Sequence, residues 1–398
     1  MQRVIEEMAK AKSDVEKRYR EKIPEIIREC MAFAYLGKSF TFDANADLEN
    51  RVNQRLIELS DEILEDIEKR AKKAIQYAED EDDEDSVLAY MKREQNGEDL
   101  ISRIDKHSSN LRYFLEGWIA LGIVNDISQS SLMSNIMTYM ENPYMSPLWQ
   151  KSFGEGFLSN SIRTRGYSLG RGNLRNPLNA HSLIEQDSIN VAYQVALVNR
   201  FQGIGALGYI ISRGSSFDCS LCDSFCNIVW KPSDLILPIH VRCVCRATPI
   251  MPDGSGLPSS LELTYVNKEK GGVLFTRKKR ISDSRINSNE RSKFDKEQGM
   301  ARVLVDNGYL VEHLGEIPGQ AGGDLRVNGI YSELKKLSSH NNIARHAKFA
   351  FEEKKVDLLI IEFTKETEKI HSELWKLVQK GYKVKYYFSG RESSIFDL

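Results

Sequence analysis

The sequence predicts a multidomain chain: a mainly α N-terminal region, a small Cys/His-rich lobe, and a C-terminal α/β domain with a mixed sheet. Three observations carry this reading. The chain has 398 residues, enough for two or three domains that each bury a core. Apolar spacing is helical over most of the first 150 residues or so, then alternates between strand and helix patterns after about residue 294. Between these regions, five of the six cysteines fall in one stretch, "FDCSLCDSFCNIVWKPSDLILPIHVRCVCRATPI".

With 41% hydrophobic residues and a formal net charge of -2, the composition is that of a globular protein. Gross charge predicts no nucleic-acid partner, so any such contact must be local. There is no apolar run of roughly eighteen or more residues, so no transmembrane helix is expected. The opening "MQRVIEEMAKAKSDVEKRYREK" reads as a charged helix without the apolar centre of a signal peptide. Synthesis in the cytoplasm is the expectation; specialised export or packaging in a particle would leave no such mark.

Four segments follow in order. Residues 1–110 form the helical N-terminal region. There "LENRVNQRLIELSDEILEDIEKRAKKAIQYA" (48–78) places apolar residues on one helical face, and the acidic run "EDEDDED" (79–85) reads as a solvated loop or helix start. Cys30 reads as a buried thiol. Residues 111–250 hold the Cys/His cluster. Here "NLRYFLEGWIALGIVNDI" (110–127) suits a buried helix and Asn142-Pro143 a turn. "RTRGYSLGRGNLRNPLNAH" (163–181) suits a loop or arm, "LIEQDSINVAYQVALVNRFQ" (183–202) a helix and "ALGYIIS" (206–212) a strand.

Residues 251–293 have the composition of a basic polar linker. "MPDGSGLPSS" is turn-rich and "RKKR" (277–280) reads as a charge cluster. Residues 294–398 return to order. A helix over 295–309 buries Met300, Val303 and Leu304, and "YLVEHL" is a strand. A hairpin follows, then a helix at 341–355, a buried parallel strand "VDLLIIEF" (356–363), a helix ending near Gly381, and the strand "YKVKYYF" (382–388). The order is α-β-β-β-α-β-α-β.

The hairpin "GGDLRVNGIYSELKK" (322–336) draws the chemistry. Asn328-Gly329 signals a two-residue type I′ turn. It would pair Val327 with Ile330, Arg326 with Tyr331, Leu325 with Ser332 and Asp324 with Glu333. Alternation then puts Leu325, Val327, Ile330 and Leu334 on a core face, with Asp324, Arg326, Tyr331, Glu333 and Lys335 on the other. Opposed carboxylates repel, and a cation between them removes the penalty. Asp324 and Glu333 can hold Mg²⁺ or Mn²⁺ through oxygen ligands while the ion keeps positions for water and a phosphate. Lys335, two residues from Glu333 on a strand, shares its face and can orient the attacking water or stabilise a charged phosphorane. Glu297 is the candidate third acid. His340 and His346 read as exposed, structurally neutral histidines.

This arrangement resembles the PD-(D/E)xK nuclease superfamily, in which a strand-start Asp, an E-x-K on the next strand and an upstream helical Glu form the active site. More narrowly, "EQGMARVLVDNGYLVEHL…GGDLRVNGIYSELKKL" looks like the tRNA-cleaving C-terminal toxin domains of CdiA-type contact-dependent inhibition proteins, over about residues 290–398. The resemblance implies catalytic roles for Glu297, Asp324, Glu333 and Lys335, a tRNA or other nucleic-acid partner, and an immunity protein. Gly322-Gly323 stand where the Pro of the motif's name would be.

In the cysteine stretch, Cys219-x2-Cys222 and His240-x2-Cys243-x-Cys245 have the ligand types and knuckle-like spacing of a structural Zn²⁺ site. The expected set is Cys219, Cys222, His240 and Cys243, with Cys245 able to replace one of them and Cys226 a sixth candidate. Disulfides or free thiols are the alternative. The same residues, "CSLC" and "PIHVRCVC", look like the signature of the phage Mu F-like head-morphogenesis family. That resemblance spans about residues 110–250 and implies phage capsid or portal partners and a virion-associated state. Glu185-Gln186-Asp187 stand where that family usually has an Arg-Thr-Glu-like stretch. Together the two resemblances imply a minor head protein carrying a metal-dependent endonuclease toxin. The other reading is a structural capsid component whose C-terminal domain binds DNA or portal without catalysis.

Overall fold

The computed structural model describes residues 1–34, 40–79, 84–95, 97–141, 177–315 and 322–398. The expected turn at Asn142-Pro143, most of the acidic run and most of the 163–181 arm lie outside the described residues. The chain divides into two compact units: residues 1–200 with 236–244, and residues 201–235 with 245–398. Among the described residues, no helix is long and apolar enough to cross a membrane.

The first unit is helical: α1 (Gln2–Ala34), α2 (Ala46–Ala78), α3 (Glu84–Lys92), α4 (Leu100–Val124), α5 (Gln129–Glu141) and most of α6 (Pro177–Gly203). Side chains such as Val4, Met8, Ala11 and Val15 on α1, and Val52, Leu56, Leu59 and Ile63 on α2, recur at three- and four-residue intervals and are buried. Asn45 and Asp99 cap α2 and α4 by accepting from Leu48 N and Ser102 N. Phe114 stacks on Tyr139 at 4.8 Å beside Trp118. Cys30 is buried, as expected, and burial pushes its thiol up to about 12.

Helix α6 buries polar residues as well as apolar ones. His181 is fully enclosed, its Nδ1 2.7 Å from Tyr19 Oη and its Nε2 3.0 Å from Ile104 O. Arg70 on α2 reaches Glu7 and Asp14 on α1, Asp66 on its own helix, and Glu185 on α6 at 3.4 Å.

The second unit is built on a mixed eight-stranded sheet of order β11-β10-β9-β8-β7-β6-β5-β4. Its strands are β4 (Leu261–Asn267), β5 (Gly272–Arg277), β6 (Leu310–His313), β7 (Leu325–Val327), β8 (Ile330–Leu337), β9 (Leu358–Phe363), β10 (Val384–Phe388) and β11 (Phe396–Asp397). The α-β-β-β-α-β-α-β order is observed from α9 (Ser288–Asp306) through β6, β7, β8, α10 (Ile343–Lys348), β9 and α11 (Glu368–Gln379) to β10. Strand β9 is buried throughout. Leu358 and Ile360 pack with Leu304 and Val305 of α9, while Leu359 and Ile361 pack with Leu374 and Leu377 of α11.

The expected linker over 251–293 is corrected by the structure. Residues 261–277 form a hairpin whose second strand runs parallel to β6, pairing Val273 with Leu310 and Thr276 with His313. "GGVLFTR" is an interior strand; its charged neighbours concealed a short period, but Val273, Leu274 and Phe275 are all buried. Helix α8 (Lys278–Asp283) follows, and α9 starts earlier than predicted because Asn287 caps it by accepting from Glu290 N.

A second sheet, β2-β1-β3, comprises β1 (Gly208–Ser212), β2 (Val229–Trp230) and β3 (Arg246–Ile250), with α7 (Ser220–Phe225) between β1 and β2. Ile210, Val229 and Ile250 join Leu261, Val273, Phe275 and Leu310 in one core. The sequence boundary at residue 250 therefore does not separate this small sheet from the large one.

Candidate active site and Cys/His cluster

The type I′ turn is present: Asn328 and Gly329 have φ of 48° and 79°. A Cβ on Gly329 would lie 2.2 Å from the Trp230 ring, so packing as well as φ demands glycine there. The ladder pairs Val327 with Ile330, Arg326 with Tyr331 and Leu325 with Ser332. It stops there, and the expected Asp324–Glu333 rung is not formed. Instead Asp324 O accepts from Leu314 N at 3.0 Å, and Asp324 Oδ2 accepts from Leu334 N at 2.9 Å. Glu333 is paired on its other side with Leu359. Ile330, assigned to the core face, is 41% exposed because it flanks the turn.

Although the rung is missing, Glu333 still acts on Asp324 electrostatically. Burial first, then the charges of Glu333 and Glu297, push Asp324 up to about 6. The Leu334 amide and Lys354 work in the opposite direction. Glu333 is fully buried and receives two ammonium groups. Lys335 Nζ donates to its Oε1 and, at 3.0 Å, to Leu334 O. Lys354 Nζ lies 2.8 Å from each carboxylate oxygen.

Lys354 is absent from the E-x-K reading. It follows a π-helical turn, Phe349–Glu353, in which Lys354 N donates to Phe349 O. From there it reaches Glu333 because β9, which begins four residues later, runs parallel to β8. Only knowledge of that pairing could have found it. Arg326 lies 3.5 Å from Glu312.

Glu297, on α9, is held in a buried polar cluster. Its Oε2 accepts from Arg280 Nε at 3.2 Å, Arg280 Nη2 at 2.9 Å and His313 Nε2 at 2.9 Å. Gln298 Nε2 donates to Thr276 Oγ1 at 3.0 Å and to His313 Nδ1 at 2.8 Å, which makes Nε2 the protonated nitrogen of a neutral His313. Burial is the largest influence on Glu297 and raises it, yet His313 and Arg280 together bring it below its ordinary value. The same burial lowers His313. Arg280, read from sequence as part of a linker charge cluster, is 1% exposed. His346 is lowered by burial and by the nearby Lys335 and Arg345, while His340 begins a 3₁₀ turn.

The structure thus gathers Asp324, Glu333 and Lys335, adds Lys354, and leaves Glu297 close enough to Asp324 to act on it electrostatically. Neighbouring carboxylate oxygens are the kind of donor that Mg²⁺ or Mn²⁺ takes. Asp324 and Glu333 are the residues that would hold such an ion. It would supply a lowered pKa for water and charge neutralisation at a phosphate.

Of the expected Zn²⁺ ligands, Cys219, Cys222 and Cys245 belong to the second unit and His240 and Cys243 to the first. Cys/His groups of this stretch have the ligand types that could hold a metal ion. His240 Nδ1 is 2.7 Å from Val241 O, which places the proton on Nδ1. Asn190 donates to Cys243 O at 2.8 Å. Cys226, the sixth candidate, is pushed up to about 11 by burial and the adjacent Cys245.

No family model matches the chain, and no curated protein matches it. Among solved structures, a chain of the "CdiA-CT/CdiI toxin and immunity complex from Burkholderia pseudomallei" is similar, with 16% sequence identity and a TM-score of 0.24. The likeness covers 28% of this chain and 88% of that one.

Proposed function

We propose that the second unit is a metal-dependent endonuclease that hydrolyses phosphodiester bonds, with tRNA as the substrate class. The observation that carries this reading is one fully buried glutamate, Glu333, held by two lysines beside a second acid, Asp324, whose carboxyl is pushed up by burial and by that glutamate. A fold has no structural need to concentrate two carboxylates and two ammonium groups at a hairpin end. Phosphoryl chemistry does need them, because charge builds on the phosphate oxygens and on the leaving oxygen. In this reading Asp324 and Glu333 hold the divalent ion, while Lys335 and Lys354 face the phosphate and the attacking water. The choice of tRNA rests on the sequence resemblance to CdiA-type toxin domains, which also makes an immunity protein the expected partner. The Mu F-like resemblance adds a phage particle as the carrier.

The test is cleavage of total tRNA and plasmid DNA by the purified full chain with Mg²⁺, Mn²⁺ or EDTA, beside Glu333→Gln and Lys335→Ala. Metal-dependent tRNA cutting, reduced at least about 100-fold in both variants, is the expected result. DNA cutting alone would keep the chemistry and discard the substrate. No cutting by folded protein would leave a non-catalytic binding domain as the better description.

A further inference from the structure

The buried Arg280–Glu297–His313 cluster joins the candidate third acid to two residues that the E-x-K reading does not include. Arg280 belongs to "RKKR", yet its guanidinium is sealed inside the unit and directs two nitrogens at a single oxygen of Glu297. His313 Nε2 donates to that same oxygen. Phe294 completes the enclosure, stacked on His313 at 5.4 Å and facing the guanidinium carbon at 5.4 Å. Oε2 is therefore saturated by three donors. The other oxygen has Lys293 at 3.9 Å, beyond hydrogen-bond range.

The cluster is also tied to the backbone that carries Asp324. His313 pairs with Leu325 across β6 and β7, and the next residue, Leu314, donates its amide to Asp324 O. On the other side, Thr276 pairs with His313, placing Arg280 four residues beyond the adjacent rung. Helix α8 and strand β6 thus each supply donors to one carboxylate on α9 and hold it by one edge. Carboxylates near a divalent ion are commonly oriented by donors of this kind, and their loss weakens metal binding and activity by about 10–100-fold.

We propose that Arg280 is a positioning residue for the divalent-ion site: it pins Oε2 of Glu297, so that Oε1 is presented toward the ion held by Asp324 and Glu333. This rests on the nuclease reading and deepens it. Arg280 reaches neither the ion nor the substrate, and it acts only through Glu297.

The experiment measures Mn²⁺ affinity of the full chain by titration calorimetry, alongside cleavage, for wild type, Arg280→Lys, Arg280→Met, Glu297→Gln and the double variant Arg280→Met/Glu297→Gln. Expected are Mn²⁺ affinity at least about 10-fold weaker in Arg280→Met, partial recovery in Arg280→Lys, and kcat reduced far more than KM. On the Glu297→Gln background, Arg280→Met should change Mn²⁺ affinity less than about two-fold. If Arg280→Met leaves a buried unpaired Glu297 and does not fold, Arg280→Lys and the double variant decide the outcome. The proposal is overturned by wild-type Mn²⁺ affinity in folded Arg280→Lys and Arg280→Met. An undiminished Arg280→Met effect on the Glu297→Gln background also overturns it. Mn²⁺ binding by wild type with the expected variant effects, but no cleavage, would retain the positioned ion site and refute the nuclease. Absence of both Mn²⁺ binding and cleavage in wild type overturns both.

Discussion

Replacing Glu185 with Gln should stabilise the helical unit at neutral pH, and the size of the gain should track pH. Glu185 is fully buried on α6, with Asp66, Arg18 and Arg70 around it. Neither of its oxygens receives a hydrogen bond from a donor among the described residues, and the Asp66 carboxyl lies against it. Two carboxyls can share a hydrogen bond only when one holds a proton. Burial first, then Asp66, pushes Glu185 from 4.5 to about 9. The folded value lies above the unfolded one, so the native state keeps a proton that the unfolded chain releases. Stability from this group is complete below pH 4.5 and is lost as pH rises toward 9. The loss is about 1.4 kcal/mol per pH unit, or about 3 kcal/mol between pH 4.5 and 7. Gln keeps the shape and a donor for Asp66 but has no proton to lose. Urea unfolding followed by helical circular dichroism at several pH values should therefore show Glu185→Gln near wild type at pH 4.5. The variant should be about 3 kcal/mol more stable at pH 7. A flat difference across pH would refute the reasoning. So would destabilisation at pH 7, which would mean that Arg70, 3.4 Å away, holds Glu185 as a paired anion.

Lys354→Met should lower cleavage at least about 100-fold, and should cost about 1–3 kcal/mol in thermal unfolding because buried Glu333 then keeps only Lys335. Unchanged cleavage would remove Lys354 from the site. A fragment spanning 290–398 should fail to melt cooperatively, whereas 201–398 should do so. The shorter piece lacks buried Val273, Leu274 and Phe275, each worth about 1.5–3 kcal/mol against a domain stability of about 5–15 kcal/mol. A sharp calorimetric transition for 290–398 would contradict this. The full chain purified under reducing conditions should carry Zn²⁺ by elemental analysis, and Cys222→Ser, which removes one of the ligands expected from the Cys/His spacing, should abolish it. Zn²⁺ retention by that variant would exclude Cys222 as a ligand.

Much of the second unit was legible because its signals are local. Asn328-Gly329 announces its turn, and the apolar run before Phe363 announces a strand covered on both faces. Asp324, Glu333 and Lys335 could be found because strand periodicity places E-x-K on one face. The unseen rung was lost to geometry beyond a two-strand picture, since Asp324 turns its side chain to the Leu334 amide. Lys354 and Arg280 were illegible for a related reason. Each reaches its glutamate through parallel pairing, β9 on β8 and β5 on β6, and parallel partners leave no turn in the sequence to mark their register. The strand β5 was hidden by composition: buried "VLF" sits between "NKEKGG" and "RKKR".

Trp230 rests on Gly329, so a residue from the cysteine-bearing stretch helps to seat the hairpin from which Glu333 extends, while the adjacent Lys231 donates to Gly308 O just ahead of β6. This constrains how the gene can be recombined. A crossover in the polar stretch after residue 250 would give the incoming hairpin a foreign tryptophan, or none, against a turn shaped to receive that ring. Lineages that exchange their C-terminal cassettes at such a junction should therefore inherit the Trp230 and Gly329 positions together, or replace both.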